Sequence, residues 1–191
     1  MNLLYRIILI FSLVAAMILP QPAIAGQSSV NADELFKRGV YEALIGNYKQ
    51  AIASFTQVIH LRPDDATAYA NEGIARAAVG DIKGAIADFN SALRLNPDLE
   101  VAYYNRGYVR FELQDYQAAL TDFDRAIRLD PQNADAYHCR CLVRHQLGDM
   151  RGVAEDFHTT AELYLKAGKL DAYKGLLNVI RDFYSSNNAA I

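Results

Sequence analysis

The chain has only two cysteines, Cys139 and Cys141, and they stand two residues apart. On a helix that spacing points the side chains to nearly opposite sides, so an unstrained bond between them is not expected. Basic charge is also scarce: 19 Lys and Arg against 22 Asp and Glu leave a net charge of −3. A nucleic-acid binder needs a basic face to neutralise phosphates, so that class of partner is not expected either. Catalytic signatures are missing. There is no glycine-rich loop in a strand–helix context, no nucleophile elbow and no histidine–glutamate zinc motif, and the chain is not expected to be an enzyme or to carry a cofactor. No Pro/Ser-rich stretch marks a linker, so one elongated domain is expected after the leader.

Long apolar runs are nearly absent too, and the exception lies at the start. Arg6 precedes a thirteen-residue run, Ile7 to Leu19, which Pro20 breaks. Ala23-Ile24-Ala25 then gives the small-x-small pattern of a signal-peptidase site, with cleavage expected before Gly26. A spanning helix needs about 20 apolar residues, and this run is shorter. Residues 1–25 therefore read as a signal peptide, followed by a polar lead-in at 26–31. No cysteine follows the run, against a lipoprotein, and no arginine pair precedes it, against the twin-arginine route. Export by the general secretory route is expected, to a periplasm or a thylakoid lumen. An uncleaved leader is the alternative, and would be the chain's sole membrane contact.

What the chain does have is a period. Phe55, Phe89, Phe123 and Phe157 are 34 residues apart, and Pro63, Pro97 and Pro131 keep the same step. Gly39, Gly73 and Gly107 repeat, with Cys141 in the fourth slot. Gly46, Gly80 and Gly148 repeat, with Gln114 in the third. Ala51, Ala85 and Ala119 are joined by Val153. A fixed period of this length marks a stack of like supersecondary units. At these residues the chain resembles the tetratricopeptide repeat family, with repeats at 32–65, 66–99, 100–133 and 134–167 and Leu35, Tyr69, Tyr103 and Tyr137 in the bulky position. The resemblance implies an all-α fold: a right-handed α-solenoid of four helical hairpins.

The chemistry of each column supports helical hairpins independently. A mid-helix glycine costs about 1 kcal/mol relative to alanine, which makes sense at Gly39, Gly73 and Gly107 if two helices approach closely there. Gly46 and Gly80 suit helix ends, with Asn47 and Asp81 as caps for the next helix. The prolines follow Leu61, Leu95 and Leu129, where they stop the second helix. Repeat four has Leu165 instead, so its second helix is expected to run on toward Gly168. A C-terminal capping helix is expected at 168–184, burying a stripe of Leu170, Tyr173, Leu176, Leu177, Ile180 and Phe183, with a frayed tail at 185–191. Arg76, Arg110 and Arg144 repeat in step with Asp88, Asp122 and Asp156, which predicts a ladder of ion pairs, joined by Arg106 and Arg140.

By resemblance, the first helix of each repeat lines a concave groove that takes a protein or peptide. The residues expected there are Asn71, Tyr104, Asn105, Tyr108, Phe111 and His138. Tyr104, Tyr108 and Phe111 share one helical face, and asparagine amides both donate and accept hydrogen bonds, as an extended peptide backbone requires. Packing of these aromatics against neighbouring helices is the plainer alternative. Chaperone-binding members of the family clamp a C-terminal carboxylate with lysine, asparagine and arginine. Here those slots hold Phe36, Val40, Asn71, Val101 and Asn105, so that kind of clamp is not expected. His138, Cys141 and His145 are three and four residues apart, but Cys141 fills the small packing column while the histidines line the groove, and no metal site is expected. The expected function is a non-enzymatic scaffold assisting assembly of an extracytoplasmic complex. The alternative is a structural subunit docking through the final helix or the convex face.

Overall fold

The computed structural model describes residues 31–188, and the leader expected at 1–25 lies outside the described residues. Within that span the chain is helical throughout: α1 (Ala32–Leu44), α2 (Tyr48–Leu61), α3 (Ala66–Ala78), α4 (Ile82–Leu95), α5 (Glu100–Glu112), α6 (Tyr116–Leu129), α7 (Ala134–Gln146), α8 (Met150–Lys166) and α9 (Leu170–Asn188). None of the described helices is long and apolar enough to cross a membrane.

The turn inside each hairpin is set by its backbone. Gly46, Gly80 and Gly148 take φ of 81°, 82° and 78°. At each, the glycine N–H and the next N–H fold back onto the carbonyls of the closing helix, as in Asp81 N to Arg76 O at 2.9 Å, which satisfies orphan helix-end acceptors. Gln114 makes the same turn with φ 61°, although a side chain is disfavoured in that region. The following helix is then capped from its side chain: Asp81 accepts from Gly84 N, Asp115 from Ala118 N and Asp149 from Gly152 N. Asn47 departs from the expectation, for it makes no cap bond and its amide donates to Glu42 Oε2 at 2.8 Å instead. Between repeats the second helices α2, α4 and α6 stop at Leu61, Leu95 and Leu129, just before the prolines. Without a proline, α8 runs for 17 residues against 14 in the others.

Packing joins columns that the period left separate. Phe55, Phe89 and Phe123 are fully buried, and each ring lies against the glycine of its own hairpin, Gly39, Gly73 and Gly107. Between repeats, Ala68 packs with Val58, and Ala75 with Phe55, of the preceding second helix. Interior repeats keep small residues there, with Ala102, Ala136, Val109 and Val143 all buried. Repeat one has Glu34 and Tyr41 in those columns, and Tyr41 is 60% exposed. The stack therefore opens on a face with water-tolerant side chains. First helices touch one another along the stack, α1 with α3, α3 with α5 and α5 with α7, whereas among the described residues successive second helices do not. The stack curves toward the first helices, which line its inner wall.

The final helix packs differently from the expected stripe. Leu176 is buried, with Tyr173 and Ile180 partly covered against Phe157 and Tyr164. Leu170 and Leu177 remain 57% and 43% exposed, so they are not part of the covering face. Residues three and four apart satisfy several rotations of one helix, and α8 selects the one that seats Tyr173, Leu176 and Ile180. The side chain of Phe183 lies outside the described residues, and α9 continues to Asn188 into the stretch read as tail.

Candidate functional site: the inner wall of the stack

The inner wall carries the six residues singled out from the sequence, and they divide by environment. Tyr104 stands edge-on to Phe123, ring centroids 6.0 Å apart, with its hydroxyl 3.8 Å from Cys139 Sγ. Burial raises the pKa of that hydroxyl. Phe111 lies 5.8 Å from the Tyr116 ring and packs with the cluster around Phe123. These two aromatics knit α5 to its neighbours. His138 is half-buried, and its pKa is lowered by burial with Asp135 partly opposing. Asn71 and Asn105 each donate from Nδ2 to the carbonyl four residues back, Thr67 and Val101, both at 2.8 Å. Each amide keeps its oxygen and one N–H for another partner.

Asn105 and Tyr108 come together at a depression of about 410 Å³ between α3, α4 and α5. Its wall is mainly apolar, from Ile74, Ala77, Ala78, Ile82, Phe89 and Val109, with Asn105 and Glu112 as polar groups. Tyr108 is 48% exposed at its edge. Ala77 on its wall is small, as is Ala43 at the equivalent position of repeat one, whereas the later repeats hold Phe111 and His145 there. Ile82, Phe89 and Val109 were missed by sequence reasoning, which used Phe89 only as a member of the repeating phenylalanine column. The alanine pair Ala77-Ala78 was the available signal of a gap.

Behind this wall runs the ion-pair ladder, and it is present as the period predicts. Arg76 Nε lies 3.0 Å from Asp88 Oδ2, Arg110 Nη1 2.7 Å from Asp122 Oδ2 and Arg144 Nη1 3.0 Å from Asp156 Oδ1. Arg106 and Arg140 add a two-pronged grip on Asp122 and Asp156. These guanidiniums are paired with aspartates within the stack. Cys141 is buried, its thiol pushed up to about 12, and burial raises Cys139 as well. Among the described residues no group of three or more His, Cys, Asp or Glu is placed to hold a metal ion.

Helical hairpins in a 34-residue step, a glycine–phenylalanine contact in the first three and a first-helix inner wall are the marks of one repeat type, and sequence models agree. A TPR repeat model matches residues 73–114 and 107–148, and a tetratricopeptide repeat model matches 35–65. The chain is built from tetratricopeptide repeats. Among solved structures it is similar to MamA, at 25% identity over 74% of this chain and 83% of that one, with a TM-score of 0.68. It is also similar to the first TPR of Spaghetti (RPAP3) bound to the HSP90 peptide SRMEEVD, at 28% identity over 61% of this chain and 93% of that one, with a TM-score of 0.60. The TPR2B domain of yeast Sti1, in its pHsp70 complex, shares the fold at 24% identity, covering 60% of this chain and 97% of its own, with a TM-score of 0.58. No curated protein matches the chain.

Proposed function

We propose that this tetratricopeptide repeat protein is a non-enzymatic scaffold that holds a protein or peptide segment against its inner wall. The carrying observation is the apolar depression beside Tyr108 and Asn105. An aromatic anchor, an amide with a free oxygen and an apolar recess of side-chain size are what an extended segment with a bulky apolar residue requires. The neighbour bound to an HSP90 peptide supports a protein partner in general. The C-terminal-carboxylate clamp expected of chaperone-binding family members is not carried over, because the corresponding slots hold Phe36, Val40, Asn71, Val101 and Asn105 and so lack cations. With the leader at residues 1–25, the task we assign is assembly of a complex outside the cytoplasm.

A second reading places the docking surface on α9, where Leu170, Leu177 and Val179 are exposed. One experiment separates the two: capture of partners from native extract by wild type, an Asn105→Ala/Tyr108→Ala variant and a Leu170→Ser/Leu177→Ser variant. Tyr104 is left intact because it packs on Phe123. A partner lost only by the first variant establishes the groove. One lost only by the second moves the site to α9 and overturns the leading reading.

A further inference from the structure

The second repeat breaks the charge pattern of the repeats that follow it. In those, one buried aspartate is gripped by two arginines: Asp122 by Arg106 and Arg110, Asp156 by Arg140 and Arg144. Where Arg106 and Arg140 stand, the second repeat has Glu72. Glu72 is 3% exposed, and its Oε1 accepts from Thr56 Oγ1 at 2.6 Å and Arg76 Nη2 at 2.7 Å. Asp88, the counterpart of Asp122 and Asp156, has only the Arg76 guanidinium, with Nε 3.0 Å from Oδ2. That contact is not aligned as a hydrogen bond, and both atoms are buried with no other hydrogen-bond partner. Two buried carboxyls thus share one cation.

The surrounding groups do not restore the balance. Facing Asp88 are Glu72 and Arg76 from α3 and Asp81 from the turn, a further negative charge. On α5, the Arg106 guanidinium is held by Asp122 and Asn90 instead. From α2 comes the neutral Thr56 hydroxyl, bound to Glu72. We propose that Glu72 and Asp88 form a one-proton joint: with a single guanidinium between the two carboxyls, Asp88 keeps its proton, and releasing it loosens the α3–α4 hairpin. That hairpin supplies Ile74, Ala77, Ile82 and Phe89 to the apolar depression, so the joint would tune the groove. This last consequence rests on the groove reading, and the joint itself does not.

Physically, retaining the proton leaves one carboxylate against one guanidinium, and releasing it leaves a net negative charge out of water, which is costly. Burial first, and Glu72 second, push the Asp88 carboxyl up to about 7. The folded chain therefore holds a proton that the unfolded chain gives up near the ordinary carboxylate value. The stability this supplies is complete below that ordinary value and is lost as pH rises through about 7. By proton linkage, opening of the hairpin becomes about tenfold more favourable between pH 6 and pH 8.

The test uses the full chain without ligand, so it stands whether or not the groove binds peptide. Carboxyl-carbon NMR follows the Asp88 titration. Amide exchange at pH 6 and pH 8, corrected for intrinsic rates, follows α3–α4 against α5–α6. The expected result is an Asp88 midpoint near neutrality that falls by at least one unit in Glu72→Gln. With it, wild-type α3–α4 protection should drop about tenfold from pH 6 to pH 8, and this drop should vanish in Asp88→Asn. An Asp88 midpoint in the ordinary carboxylate range overturns the joint, as does one that Glu72→Gln leaves in place. Flat protection in wild type overturns it equally, because the hairpin then ignores the proton.

Discussion

Gly73 faces the Phe89 ring so closely that a methyl group there would lie 2.9 Å from Cε1. The ring is fully buried and cannot swing away into solvent. A mid-helix Gly73→Ala substitution gains about 1 kcal/mol of helix propensity but overpacks the hairpin by roughly 1–3 kcal/mol. The expected outcome is a net loss of up to about 2 kcal/mol in urea unfolding. Gly107→Ala, where the nearest ring atom would be at 3.1 Å, should lose less. Combining Gly73→Ala with Phe89→Leu should recover part of the loss, and strict additivity would show that the contact is not its origin.

The opposite expectation holds at Gln114. It occupies with φ 61° the position that glycine fills in the other three hairpins, and its own N–H and that of Asp115 make the same closing bonds, to Phe111 O and Arg110 O. Gln114→Gly should stabilise the chain by about 0.5–1 kcal/mol, since relief of the left-handed backbone exceeds the added unfolded-state entropy. A lowered urea midpoint would contradict this.

Both residues show what kind of information a sequence carries. Where the backbone demands a residue type, as at Gly73, Gly80 or Pro97, the period exposes it and the hairpins can be read directly. The Arg110–Asp122 pair is legible for the same reason, because both partners recur together. Side-chain direction is not coded that way. Tyr104 shares its column with Ala70 and His138, and nothing local says that its ring will stand on Phe123. Leu177 satisfies the helical pattern as well as Leu176 does, yet only Leu176 is buried. The depression beside Tyr108 depends on Ile82 and Phe89 from another helix, and on the small volume of Ala77. Such relations exist only once three helices are in place.

One substitution made at two equivalent positions gives a sharp contrast. Asp122→Asn leaves Arg106 and Arg110 facing a neutral amide, and the Asp122 side chain is only 2% exposed. Breaking a buried ion pair in this way costs roughly 3 kcal/mol or more. Asp88→Asn removes one of two carboxyls sharing Arg76, so at pH 8 it should cost little or even stabilise. At pH 5, where Asp88 already carries its proton, its effect should be near zero. Denaturant midpoints of the two variants at both pH values check this, and equal losses at pH 8 would contradict the shared-cation geometry.

The inner wall offers the same kind of contrast between folding and binding. Tyr104 and Tyr108 lie one helical turn apart, and an alanine scan read only by binding would treat them as alike. Tyr104 loses its edge-on contact with Phe123 on truncation, so Tyr104→Ala should cost about 3 kcal/mol of stability, as large-to-small aromatic changes in packed sites do. Tyr108 is 48% exposed, and Tyr108→Ala should change stability by no more than about 0.5 kcal/mol, in line with surface substitutions. If the groove is the binding site, Tyr108→Ala should still weaken partner capture at least tenfold, as loss of an aromatic anchor worth about 2 kcal/mol would. Tyr104→Phe supplies the control, since it keeps the ring against Phe123 and removes only the hydroxyl near Cys139. It should retain both stability and binding, so that any binding loss in Tyr104→Ala is traced to the fold. Loss of stability in Tyr108→Ala, or unchanged capture by that variant, would remove Tyr108 from the site.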